Sequence, residues 1–172
     1  ADARIENDPA LASAAGSPCN AERLFEHLLQ QGLAAYARSP PTHHLTCAPD
    51  TDCGTAIRQA HALGWRAFFL PMGAHLSSGE NLGSPDAPVA LITPRTLTID
   101  NSPVVHGLLF ANENLINASD GGAARIRGAA ISCNSHRQGG QSEVAHDADT
   151  LARLREITRV YQRVPGSWRD AP

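Results

Sequence analysis

Val105-His106-Gly107-Leu108-Leu109-Phe110 is echoed further along the chain by Ile126-Arg127-Gly128-Ala129-Ala130-Ile131. Val89-Ala90-Leu91-Ile92 stands as far ahead of Gly107-Leu108-Leu109-Phe110 as Thr96-Leu97 stands ahead of Asn114-Leu115. A loose period of about 20 residues belongs to stacked coils. Each coil lays one strand beneath its predecessor and turns at clusters of Asn, Gly and Asp. The sequence therefore predicts a short stack of parallel strands, a β-solenoid. The competing reading is an ordinary antiparallel sheet whose glycine-containing strands are alike by chance.

The surrounding texture agrees with strands from Trp65 to about Ser132. Ala67-Phe68-Phe69-Leu70, Val89 to Ile92, Leu97-Thr98-Ile99, Val104 to Phe110 and Ala129-Ala130-Ile131 are short apolar runs between dense breakers. None is long enough for a stable helix. Such a stack has two exposed ends that need covering, and helical segments flank it. On the N-terminal side, Asn20 is a candidate N-cap, and Leu24, Phe25, Leu28 and Leu29 form an apolar stripe that Tyr36 extends. Pro40-Pro41 stops that helix. A second helix is expected from Thr55 to Leu63, capped by Asp52 or Thr55 and ended by Gly64. On the C-terminal side, Asp147 or Asp149 caps a helix with Leu151 and Leu154 facing inward. The tail then turns at Pro165-Gly166, and Trp168 is expected to dock on the body. The fold class is α+β: N-terminal helices, a short stacked parallel β-sheet or β-solenoid-like core, and a C-terminal helix with a docked tail. Residues 1–64 form a helical region with a cysteine loop and 65–172 a β-rich head, together one compact unit.

Four cysteines, Cys19, Cys47, Cys53 and Cys133, fit a disulfide framework in an oxidising compartment. Cys47 and Cys53 flank the turn-rich Ala48-Pro49-Asp50-Thr51-Asp52, which would leave Cys19 for Cys133. Three pairings are open to four cysteines, and four reduced thiols are a further alternative. His43 and His44 ahead of Cys47 and Cys53 also invite a zinc reading, but the spacing His-His-x-x-Cys-x5-Cys is not that of a zinc finger. Neither a metal nor a cofactor is expected.

At 172 residues and a net charge of −3, the chain has no electrostatic footprint for nucleic acid. Its 14 basic residues are all Arg. That composition suits GC-rich coding and would also suit bidentate contacts. No stretch reads as a membrane-spanning helix or signal peptide, so a secreted protein would have lost a segment ahead of Ala1. No Gly-x-Ser-x-Gly elbow, P-loop or dinucleotide fingerprint occurs. His106, in an apolar strand, is a conceivable base, but reads first as an outward strand residue. His75, His136 and His146 sit near turns with no nucleophile pattern. Asp100, Asp120 and Asp147 would make a carboxylate group if brought together, yet each occupies a position where Asp favours a turn or cap. An enzyme is not expected.

The tail Arg163-Val164-Pro165-Gly166-Ser167-Trp168-Arg169-Asp170, preceded by Leu151-Ala152-Arg153-Leu154-Arg155, resembles the ending of PilX-like type IV pilus-assembly proteins, a minor pilin family. Leu82-Gly83-Ser84-Pro85-Asp86-Ala87-Pro88-Val89 resembles that family's loop before its first long strand. Val104 to Phe110 and Gly128 to Ile131 resemble its next two strands. The likeness covers about residues 65–170. Two features depart from the family: the hydrophobic prepilin helix is not in this sequence, and Ala171-Pro172 stands in place of a terminal aromatic residue. The resemblance implies a soluble head acting by protein–protein contact in pilus initiation or at the pilus tip. Its partners would be other minor pilins and pilus subunits, in the periplasm or at the surface of a Gram-negative cell. Membrane attachment would come only through the missing helix. Trp168 and Arg169 are the expected interaction residues, being residue types enriched at binding hot spots. The alternatives are a surface adhesion or carbohydrate-binding module, which predicts an exposed aromatic or polar groove on the strand face, and a polysaccharide-acting enzyme, which predicts Asp and Arg clustered there.

Overall fold

All strand pairings in the computed structural model, which describes residues 19–48, 51–117 and 124–158, are parallel. Sheet A runs, in spatial order, β1 (Thr42–His44), β2 (Ala67–Phe69), β4 (Val89–Thr93), β6 (Val104–Ala111), β8 (Arg125–Ser132) and β10 (Glu143–His146). Sheet B runs β3 (Ala74–Leu76), β5 (Leu97–Ile99), β7 (Asn114–Asn117) and β9 (Ser135–Gln138). From β2 to β9 the chain alternates between the sheets, and the result is a solenoid of about five turns.

The internal likenesses are the register itself. Val89 lies beside Gly107, Leu97 beside Leu115 and Val105 beside Ile126, each partner one coil further along the chain. Like side chains stack because each coil repeats the path of the one below. Gly107 and Gly128 occupy one column of this stack with φ +148° and +140°. A Cβ on Gly107 would sit 1.7 Å from the Val89 carbonyl oxygen, and one on Gly128 2.0 Å from that of Gly107. Only glycine fits where backbone meets backbone so closely.

Two apolar layers follow from strand alternation. Phe68, Leu91, Val105, Leu109 and Ile126 of sheet A meet Leu76, Leu97, Ile99 and Leu115 of sheet B between the sheets. On the other side of sheet A, Ala67, Ala90, Ile92, Leu108 and Phe110 pack under the helices α1 (Ala21–Leu29), α2 (Leu33–Ala37) and α4 (Ala148–Thr158), through Leu24, Phe25, Tyr36 and Leu154. Phe25 is the hub, edge-on to both Tyr36 and Phe110 at centroid distances of 5.4 and 5.0 Å.

Helix α3 (Cys53–Ala62) closes the first end of the stack by burying Cys53, Ile57 and Ala60 in the inter-sheet core. Its cap residue Asp52 bridges to His75 in parallel, so α3 starts where sheet B would otherwise have its first strand. At the other end sheet B finishes in β9, Ser135-His136-Arg137-Gln138, exposed at all four positions, and sheet A in β10. A polar edge of this kind discourages further strand pairing.

The helix caps are those expected. Asn20 accepts from the Arg23 N–H at 3.0 Å, Asp52 from Gly54 and Thr55 at 3.1 Å, and Asp147 from Thr150 at 3.0 Å. Three expectations need correction. Tyr36 does not extend the first helix, because Gln30 turns left-handed (φ 56°) and Gly32 starts a separate helix. Thr42–His44, inside the region read as helical, is a strand on sheet A. Strands β3, β7, β9 and β10 carry too few apolar residues to be visible as runs. The docked tail lies outside the described residues.

Candidate functional site

Cys47 and Cys53 form one disulfide, with Cα atoms 5.6 Å apart, and Cys19 and Cys133 the other, with Cα atoms 5.5 Å apart. The first ties the loop after β1 to the start of α3. The second, 114 residues apart in sequence, ties the approach to α1 to the turn after β8. The thiols that a zinc site would need are therefore committed. The two histidines turn elsewhere: His43 stacks on Trp65 at 4.7 Å, and the His44 ring bonds the Ala37 carbonyl. Among the described residues, no group of three or more His, Cys, Asp or Glu side chains is arranged to hold a metal.

The stack joins two residues 25 apart in sequence. His75 points outward from β3, and its Nε2 pairs with the Asp100 carboxylate just past β5. Thr98 is the direct strand neighbour of His75. Around this pair lies a groove of about 310 Å³ lined by Cys47, Ala48, Met72, Gly73, Thr96 and Thr98. Met72 on its wall is largely exposed. The groove offers an oriented imidazole, a carboxylate, two hydroxyls and an apolar thioether. Chemically, that set can exchange hydrogen bonds with polar groups and offers one apolar contact. Sequence reading missed His75 because it counted as a loop residue, and because the step from Ala74 to Leu97 is longer than the repeat that the sequence shows further along.

Next to the groove, Asp52 joins two coils. Partial burial pushes its carboxyl up, but the N–H groups of Ser77, Gly54 and Thr55 and the Thr55 hydroxyl outweigh that and hold it below the usual carboxylate range. On the opposite side of the molecule, His106 faces outward from β6, with a buried Nδ1 that has no partner. Asp147 is held below the usual range by hydrogen bonds from Thr150, and the neighbouring His106 lowers it a little further through its charge. Arg127, beside His106 on the next strand, pairs with Glu143 at 3.4 Å. Asp100 and Asp147 thus belong to opposite sides and do not form a carboxylate pair. Asp120, Trp168 and Arg169 lie outside the described residues.

None of the described helices is long and apolar enough to cross a membrane. The class defined by these observations is a disulfide-bonded, helix-flanked parallel β-solenoid. No protein-family model, curated protein or solved structure matches the chain.

Proposed function

We propose that the chain is the head of a PilX-like pilus-assembly protein, a minor pilin that works by contact with other pilins and pilus subunits outside the cytoplasm. The observation that carries this reading is the sequence likeness of the tail Arg163 to Asp170 together with the segments leading into and forming β4, β6 and β8. Those segments are neighbours in one sheet, so the likeness follows a continuous structural unit instead of scattered pieces. Two disulfides suit an oxidising compartment. In this reading the tail docks on the head, Trp168 and Arg169 mediate contact, neither nucleic acid nor a cofactor takes part, and the protein is not an enzyme. Membrane attachment belongs to a preceding prepilin helix.

Deleting the gene in its own host and counting surface fibres tests the proposal. Fewer fibres, restored by the full gene but not by one truncated before Arg163, are expected. Unchanged fibre number and length would sink it. The groove at His75 and Asp100 favours one second reading, a ligand-binding or adhesion module, because that reading predicts a polar groove on the strand face. Binding of the head to a glycan array, lost on Asp100→Ala while fibres remain normal, would put that reading first.

A further inference from the structure

The groove on sheet B has spare hydrogen-bonding capacity of one kind. A carboxylate only accepts, so the His75 Nε2 that pairs with Asp100 is the donor, and in the neutral ring Nδ1 keeps a lone pair. Among the described residues no donor is bonded to the other Asp100 oxygen, Oδ1. The Thr98 hydroxyl beside His75 accepts as well. No arginine belongs to the lining, and the chain has no Lys. The nearby arginines are taken up: Arg95, next to Thr96, pairs with Glu113 at 3.1 Å, and Arg58, which donates to Thr55 at 2.8 Å, pairs with Glu80. On and beside the groove, the carboxylates of Asp52, Glu80, Asp100 and Glu113 thus outnumber the guanidiniums of Arg58 and Arg95.

We infer that the groove binds an alkylammonium group, its nitrogen on Asp100, His75 and Thr98 and its hydrocarbon stem along Met72. An ammonium has three donors and no acceptor, which suits three acceptors, and it brings the charge that the surroundings lack. A carboxylate or phosphate would set acceptors against acceptors, and a neutral hydroxyl leaves the charge unmet. The stem has a place to lie. Met72 is 65% exposed on the wall, and the half-buried Cys47 and Ala48 line the same groove. An unbranched thioether adapts its shape to such a stem. At about 310 Å³ the groove has the size of a small-ligand site. A free amine and a lysine side chain of a partner share this chemistry. The inference rests on the ligand-binding reading of this groove and names its ligand; it is independent of pilus assembly.

Met72 is the only methionine of the chain, so labelling the whole protein with methyl-¹³C methionine places one NMR resonance on the groove wall. Titration with n-butylammonium chloride at neutral pH and constant ionic strength is expected to move that resonance saturably. Asp100→Asn is expected to weaken binding about tenfold, the usual loss for a hydrogen bond to a charged group, whereas Asp86→Asn, away from the groove, leaves it unchanged. The isosteric 1-butanol and butyrate are expected to bind at least tenfold more weakly. This ligand series on the unaltered protein decides the matter even where Asp100→Asn disturbs the groove. Equal or tighter binding of 1-butanol, butyrate or methyl glucoside would overturn the ammonium assignment and keep a ligand-binding groove. A resonance that no probe moves would overturn both. Nα-acetyl-lysine methylamide distinguishes the sources: binding at least as tight as that of butylammonium supports the inference with a lysine side chain as ligand, and weaker binding supports it with a free amine.

Discussion

The two sheets are built from the same coils yet turn different faces outward. Most of sheet A's outer face is apolar and covered: Ala90, Ile92, Leu108 and Phe110 lie under α1, α2 and α4, and His106 with the Arg127–Glu143 pair forms its polar margin. Sheet B's outer column is His75, Thr98, Ile116 and Arg137, half-exposed to exposed. The difference is written in the strands. Val89–Thr93 is buried at all five positions, as a strand covered on both faces must be, whereas Leu97-Thr98-Ile99 alternates. Sheet A is therefore packed on both faces, and sheet B is packed on one face and open on the other.

The strongest way to break that comparison is at the glycine column that sets the spacing of sheet A. Gly107→Val is expected to prevent folding, by about 5 kcal/mol or more, since the Val89 carbonyl leaves no room and the backbone angle is strained for any other residue. Absence of a cooperative urea transition would register it, and a near-native transition would contradict the stacked register. Next come the disulfides, one for each side. Removing Cys19–Cys133, which fastens the helical cover to sheet A, is expected to cost about 5 kcal/mol on the chain-entropy account. Removing Cys47–Cys53, which closes a short loop beside sheet B, is expected to cost about 2 kcal/mol. Equal losses would refute the ordering. Phe110→Ala, under the helices, should cost about 4 kcal/mol, against about 0.5 kcal/mol for Thr98→Ala on the open face. Urea midpoints for the pair measure the contrast directly.

The smallest expected effect concerns pH. Asp52 has a folded pKa below its unfolded value, so the stability it contributes is present above the unfolded pKa, about 4. It is lost as pH falls through the lower folded value. Melting temperature should therefore drop in acid, and Asp52→Asn, which keeps a capping oxygen but does not titrate, should flatten that drop. An unchanged acid limb in the variant would mean that the bond from the Ser77 N–H across the coils carries little.

Much of this architecture is local and hence legible in the sequence. Each of the three caps depends on a side chain close along the chain to the N–H it accepts. The likeness of Val105–Phe110 to Ile126–Ile131 directly encodes neighbouring coils. The polar strands of sheet B were not legible, because a strand such as Ser135–Gln138 owes its extended form to the coil beneath it and not to its own side chains. The groove was hidden for a related reason. Coil steps in sheet A are unequal: Ala67 to Ala90 and Val105 to Ile126 are longer than Val89 to Gly107 and Arg125 to Glu143. No single period therefore brings His75 to Asp100 or Cys19 to Cys133. Sequence by itself determined the strand-and-helix alphabet, the caps and the stacking of like segments, since these rest on contacts between near neighbours or repeated patterns. Only the tertiary structure decided which side of the stack the helices cover, which cysteines meet and where the groove opens. Those depend on loops of unequal length closing on a shared core, and the energy of that closure lies in no single segment.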